Sequence, residues 1–154
     1  MMTHTFYLLT FLMLFISNGC GSSSDKWKKD RPKVVPAAVT VSYKGNAVEG
    51  AKVYFSLKEG SVGAVSETNS EGVAHMTTFE KGDGVVPGTH LVKVSKVLVE
   101  STIGTEKLPD SDDYPVTVRR TSLLPEKYAD YKTSGFSVTV TDGEQNNFQF
   151  ELVD

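Results

Sequence analysis

The sequence predicts an all-β protein, a seven-stranded antiparallel β-sandwich, and three observations carry that expectation. From Val34 onward apolar residues alternate with polar ones, the period of a half-buried strand rather than of a helix. Breaks rich in Gly, Asn and Asp interrupt the alternation at short intervals, as turns do. No amphipathic segment is long enough to cover a sheet as a helix, so two sheets must cover each other.

Each strand follows from its own pattern. Val39, Val41 and Tyr43 share one side of the first, and Lys44-Gly45-Asn46 supplies the turn after it. Val53, Phe55 and Leu57 form the next inward face. After the turn Asn69-Ser70-Glu71-Gly72, Ala74 and Met76 point inward while Val73, His75 and Thr77 point out. His90, Val92 and Val94 alternate with Leu91, Lys93 and Ser95. Phe136, Val138 and Val140 precede a turn at Asp142-Gly143, and Phe148, Phe150 and Leu152 close the set. A seventh, shorter strand is placed at 116–119. A chain of 154 residues has room for one such domain.

The N-terminus is of a different character. Phe6 to Ile16 reads FYLLTFLMLFI, interrupted only by Thr10, and residues 1–19 contain no Lys, Arg, Asp or Glu. That apolar run has the length of a signal-peptide centre, whereas a membrane-spanning helix takes about 20 residues. Ser17-Asn18-Gly19 then leads to Cys20, the one cysteine in the sequence, which therefore has no disulfide partner within the chain.

The spacing resembles the lipobox of bacterial lipoproteins. The resemblance implies cleavage between Gly19 and Cys20, diacylglycerol on the Cys20 thiol, and a membrane as the first partner. Two positions depart from the family pattern: Ser17 stands where leucine is usual, and no basic side chain other than His4 precedes Phe6. Two acyl chains suffice for stable anchoring. Residues 20–33 are then the lipidated cysteine and a polar tether, too poor in apolar residues to order itself. Lys26, Lys28, Lys29, Arg31 and Lys33 suit either a solvated linker or an anionic membrane surface.

Residues 100–135 break the regular alternation, and long connections of this kind tend to carry function. The acidic run Asp110-Ser111-Asp112-Asp113 marks an exposed candidate partner loop. Leu123, Leu124, Tyr128 and Tyr131 surround a short helical turn opened by Pro125, and are expected to pack over an open end of the core. Residues 101–113 are expected to be exposed, mobile and without strand character.

VTVSYKGNAVEGAKVYF, TNSEGVAHMTTFEKGDGVVPGTHLVKVSK and LLPEKYADYKTSGFSVTV together resemble the carboxypeptidase regulatory-like, or transthyretin-like, domains of bacterial lipoproteins. The likeness covers nearly everything after Val34 and implies a prealbumin-like sandwich over 34–154, without implying catalysis. His90 stands where the family has an aromatic residue.

The chemistry on offer is sparse. A mild net charge of −3 gives no reason to expect nucleic acid. After cleavage only His75 and His90 remain, with no nucleophile motif beside them. Asp110, Asp112 and Asp113 could offer oxygens to calcium, but lack the glycine and terminal glutamate of an EF-hand loop. Some transthyretin-like proteins hydrolyse 5-hydroxyisourate with histidines, an arginine and a C-terminal Tyr-Arg-Gly-Ser motif, and that motif is absent from an ending of Phe150-Glu151-Leu152-Val153-Asp154. An adhesin-type isopeptide bond would have to join Lys44 or Lys52 to Asn146 or Asn147, with Glu71 assisting. The expectation is a non-enzymatic envelope module without cofactor or metal, which binds a protein or glycan through its loops. The alternatives are a carbohydrate-binding accessory domain, which would need aromatics exposed on a sheet face, and an adhesin-type surface structural module.

Overall fold

The computed structural model describes residues 26–154, so the expected export signal over 1–19, the expected cleavage and lipidation site at Gly19 and Cys20, and the first part of the expected tether lie outside the described residues. The chain divides into two units, Met1–Arg31 and Pro32–Asp154. The described end of the first unit contains one turn of helix, α1 (Lys26–Lys29). It falls within the segment 20–33 expected as a polar tether. Pro32 and Lys33 belong instead to the second unit, where the Lys33 ammonium meets the Asp142 carboxylate at 2.6 Å.

The second unit is all β, with ten strands and a short 3₁₀ turn. Four strands form one sheet: β1 (Ala37–Tyr43), β2 (Asn46–Ala47), β5 (Val73–His75) and β10 (Asn146–Leu152). A second sheet runs in the order β4 (Gly63–Glu67), β3 (Lys52–Leu57), β6 (Gly88–Ser95), β9 (Phe136–Val140). The remaining pair, β7 (Val97–Ile103) and β8 (Val116–Ser122), is a separate two-stranded ribbon.

The inward faces read from the alternation are the ones that are buried. Val39, Val41, Val53, Phe55, Ala74, Met76, Val92, Val94, Val140, Phe150 and Leu152 belong to a single apolar core shared by the two sheets. Phe55 meets Phe148 across it at 6.0 Å, and Phe136 stacks on Phe150 at 4.5 Å. His75, assigned outward, is exposed, and so is Gln149 between Phe148 and Phe150.

Three features depart from the seven-strand antiparallel expectation. First, the short strands β2 and β4, and the whole of β7, are additional to the strands that the alternation predicts. Secondly, β1 pairs with β10 in parallel, from Ala37 beside Asn146 to Tyr43 beside Leu152. The chain leaves β9 in one sheet and enters β10 in the other, and buried Asn146 fixes that crossing. Its carboxamide oxygen accepts the Thr141 N–H at 2.9 Å, and its NH₂ donates to the carbonyls of Thr141, Glu144 and Pro36. Thirdly, Val35 exchanges backbone hydrogen bonds with Val85, which requires Gly84. At φ +107° a side chain there would be strained, and its Cβ would lie 1.9 Å from the Val35 carbonyl oxygen.

The 3₁₀ turn η1 (Glu126–Ala129) follows Pro125 as expected. Leu124 and Tyr128 are buried in the core, and the Tyr128 ring stacks on Phe136 at 5.1 Å. Its hydroxyl accepts the Val153 N–H at 3.1 Å and donates to the Val153 carbonyl at 3.2 Å. The turn therefore clips the C-terminal end to the core. Leu123 and Tyr131 do not join this packing: Leu123 is exposed, and Tyr131 lies over the outer face of the second sheet.

Candidate functional site: an unpacked β-ribbon

The segment expected to be a loop is mostly ribbon. Strand β7 runs antiparallel to β8 in unbroken register from Val97 beside Ser122 to Ile103 beside Val116. At the base the Leu123 N–H donates to the Lys96 carbonyl at 2.8 Å, so both ends of the ribbon leave the body together. At the far end Gly104 donates to the Pro115 carbonyl. A side chain at Gly104 would strike the Pro115 ring at 2.6 Å, which explains a glycine where the tip begins.

The period of two sorts the ribbon into unlike faces. Val97, Val99, Ser101 and Ile103 lie on one side with their partners Ser122, Arg120, Val118 and Val116. Leu98, Glu100 and Thr102 lie on the other with Thr121, Arg119 and Thr117. The first face is built like an inward core face, yet none of the described residues covers it. Ile103 is 66% exposed, Val116 59% and Val99 56%. Neighbouring aliphatic side chains left in water form the kind of surface through which proteins bind partners. A two-stranded hairpin is also marginal alone and gains stability when its apolar face is covered.

The candidate partner loop is the tip of this ribbon. Asp110, Asp112 and Asp113 are exposed there, with Leu108 and Tyr114 also open to solvent. The tip carries hydrogen bonds of its own. Leu108 donates its N–H to the Asp113 carbonyl, Ser111 caps the Asp113 N–H, and Lys107 pairs with Asp112 at 2.6 Å. Asp110 adopts φ +60°, a left-handed conformation that aspartate tolerates. The structure corrects the reading of 101–113 as lacking strand character: Ser101, Thr102 and Ile103 belong to β7. Among the described residues, no group of three or more His, Cys, Asp or Glu side chains is placed to hold a metal ion.

The remaining sequence candidates are dispersed. His90 is buried against Phe55 at 5.7 Å, and its Nε2 bonds the Val86 carbonyl at 2.8 Å while Nδ1 has no hydrogen-bond partner. Donation from Nε2 makes Nδ1 the unprotonated nitrogen. Burial depresses the His90 pKa and outweighs the opposing bond to Val86, so the ring is held neutral. Lys44 closes a cluster at the end of β1, pairing with Asp154 at 2.6 Å, and the Tyr43 hydroxyl also donates to Asp154. The isopeptide pairs are not brought together. Asn146 and Asn147 sit beside Ala37 and Ala38 whereas Lys44 follows Tyr43, about 20 Å along the strand at ~3.3 Å per residue. Lys52 lies in the other sheet.

An aromatic pair that the alternation did not reveal lies on the outer face of the second sheet. The Lys93 ammonium sits 4.9 Å from the centroids of both the Tyr54 and Tyr131 rings. Tyr54 is the cross-strand neighbour of Lys93, but Tyr131 arrives from after η1, so only the folded chain joins them.

No protein-family model and no curated protein matches the chain. A solved structure similar to it in part is a 9R-lipoxygenase from Cyanothece PCC8801, at 9% identity and a TM-score of 0.32. That likeness covers 81% of this chain and 17% of the lipoxygenase, and at this level it carries no argument about fold or activity.

Proposed function

We propose that this chain is a non-enzymatic, lipid-anchored module of a bacterial cell envelope. In this reading residues 1–19 direct export and lipid on Cys20 holds the chain at a membrane. The two sheets form a β-sandwich of the prealbumin/Ig-like kind, the scaffold for a ribbon held out to a protein partner. The ribbon's uncovered apolar face carries the proposal, because recognition tends to reside on connections projected by a rigid scaffold. The test is photocrosslinking in intact cells from a benzophenone side chain at position 99 on that face, with position 149 on β10 as the control. A protein adduct from 99 and none from 149 is expected; equal labelling, or none, would remove the ribbon from recognition. The anchor has its own test. The intact mass of the membrane-extracted protein should begin at Cys20 with acyl mass added, and an unmodified thiol would overturn it.

Tyr54, Lys93 and Tyr131 favour a second reading, glycan binding, since sugar rings stack on such aromatic faces. Retention on envelope polysaccharide that disappears in Tyr131→Ala would support it, and retention unchanged by that substitution would count against it.

A further inference from the structure

The segment between η1 and β9 is fastened to the second sheet, and it carries Tyr131 there. Buried Ser134 donates its hydroxyl to the Val92 carbonyl at 2.5 Å and its N–H to the Asp130 carbonyl at 2.9 Å. Thr133 donates its hydroxyl to the Lys127 carbonyl at 2.6 Å. Val92 precedes Lys93 in β6, so these bonds hold Tyr131 beside Lys93. Tyr131 stands outside the core that Leu124 and Tyr128 join. Its ring, like that of Tyr54, belongs to a residue that is only half-buried.

Lys93 is a cation without an acid partner. Among the described residues its ammonium faces the two tyrosine rings and no carboxylate. The strands of this sheet turn one carboxylate outward, Glu67, and that one stands opposite Lys52. Asp130 and Lys132 flank Tyr131 with opposite charges, and the Asp130 carboxylate already accepts the Lys132 N–H at 2.7 Å. An anion arriving at Lys93 therefore gains a charge-assisted hydrogen bond with no internal ion pair to break.

The backbone of this face is already committed. Strands β3 and β6 are interior to the sheet and pair on both sides, so an extended peptide cannot join them as a further strand. The face offers side chains alone: two tyrosine rings, one ammonium and, two residues from Tyr54, the hydroxyl of Ser56. Sugars are bound by such sets, with C–H faces laid on amphipathic rings and hydroxyls met by polar groups. Because the ammonium touches both rings, the charge it meets belongs to the same sugar that stacks.

We infer that Tyr54, Lys93 and Tyr131 form a binding site for a polysaccharide whose sugars carry carboxylates, an inference that rests on the glycan reading and names its substrate class. The carboxylate accepts from the Lys93 ammonium while the sugar ring lies on the tyrosines. Tyr131 is already held in place, so little ordering is required when the polysaccharide binds.

The test passes the full chain, extracted in non-ionic detergent, over immobilised polygalacturonate, alginate and hyaluronate. It is also passed over the methyl ester of each, which keeps the sugar and removes the charge, and over polyglutamate as an acidic peptide. Wild type should be retained on at least one of the uronate polymers, and on neither its ester nor polyglutamate. Lys93→Gln should weaken that retention by roughly tenfold or more, the scale of one charged hydrogen bond, with an unchanged melting temperature. Lys93→Arg should keep most of it, Tyr131→Ala should abolish it, and Lys132→Gln should leave it as in wild type. Equal retention on polymer and ester, or a silent Lys93→Gln beside a damaging Tyr131→Ala, would overturn the carboxylate while leaving glycan binding in place. Equal retention on polyglutamate, or a loss in Lys132→Gln as large as in Lys93→Gln, would mean general attraction of acidic polymers and would overturn the sugar site. No retention on any polysaccharide would remove both the inference and the glycan reading.

Discussion

The ribbon and the second sheet are built from similar sequence and end in opposite environments. In β6, Val92 and Val94 are wholly buried; in β7, which follows one residue later, Val97 and Val99 stand about half in water. Both strands have an antiparallel neighbour in full register. Hydrogen-bonded pairing thus makes a strand, and only a second layer makes a core. The body's stability comes from apolar area removed from water, and the ribbon has not yet removed its own.

Substitutions that probe this contrast range from severe to silent. The largest effect is expected from Phe150→Ala, which empties a buried site against Phe136 and should cost about 3–5 kcal/mol in urea unfolding. Tyr128→Ala should cost about 3 kcal/mol by removing the stacked ring. Tyr128→Phe, which loses only the hydrogen bonds to Val153, should cost about 1 kcal/mol. A smaller, pH-dependent effect belongs to His90. Its folded-state pKa lies below the ordinary value of 6.5, so its contribution is fully present above that pH. It is lost as pH falls from there through the folded pKa, because the unfolded chain binds the proton first. His90→Phe should flatten the stability–pH profile in that window, and an unchanged slope there would remove His90 as its origin. The smallest effects are expected outside the core: Gln149→Ala and Val99→Ser should each change stability by about 0.5 kcal/mol or less.

The body was legible because burial enforces the alternation. Val39 and Val41, Val53 and Phe55, and Val92 and Val94 face one core, so each polar intruder would carry a penalty. Strand β7 escaped because no core disciplines it: Val97-Leu98-Val99 is a continuous apolar run and Ser101 interrupts the apolar face. Strand β4 buries only Ala64 along its length, too little to leave a pattern. The parallel pairing of β1 with β10 joins residues more than a hundred positions apart, and it depends on the corner held by Asn146, whose role no local period can encode. At the candidate site the exposure of Asp110, Asp112 and Asp113 was legible from composition, but their place at the end of a ribbon was not. The pairing of Tyr54 with Tyr131 around Lys93 was equally hidden, since it needs the chain after η1 to return over the sheet.

The division between a self-sufficient body and a ribbon reserved for contact is tested most directly by excising the ribbon. Lys96 and Leu123 are already hydrogen-bonded neighbours, so residues 97–122 can be replaced by a two-residue Asn-Gly turn suited to antiparallel ends. The measurement is the urea unfolding free energy of the shortened chain beside wild type. A difference within about 1 kcal/mol is predicted, because the removed residues are exposed on both faces. A loss of about 3 kcal/mol or more, the scale of emptying a core site, would show that the ribbon holds the fold together and would contradict the division.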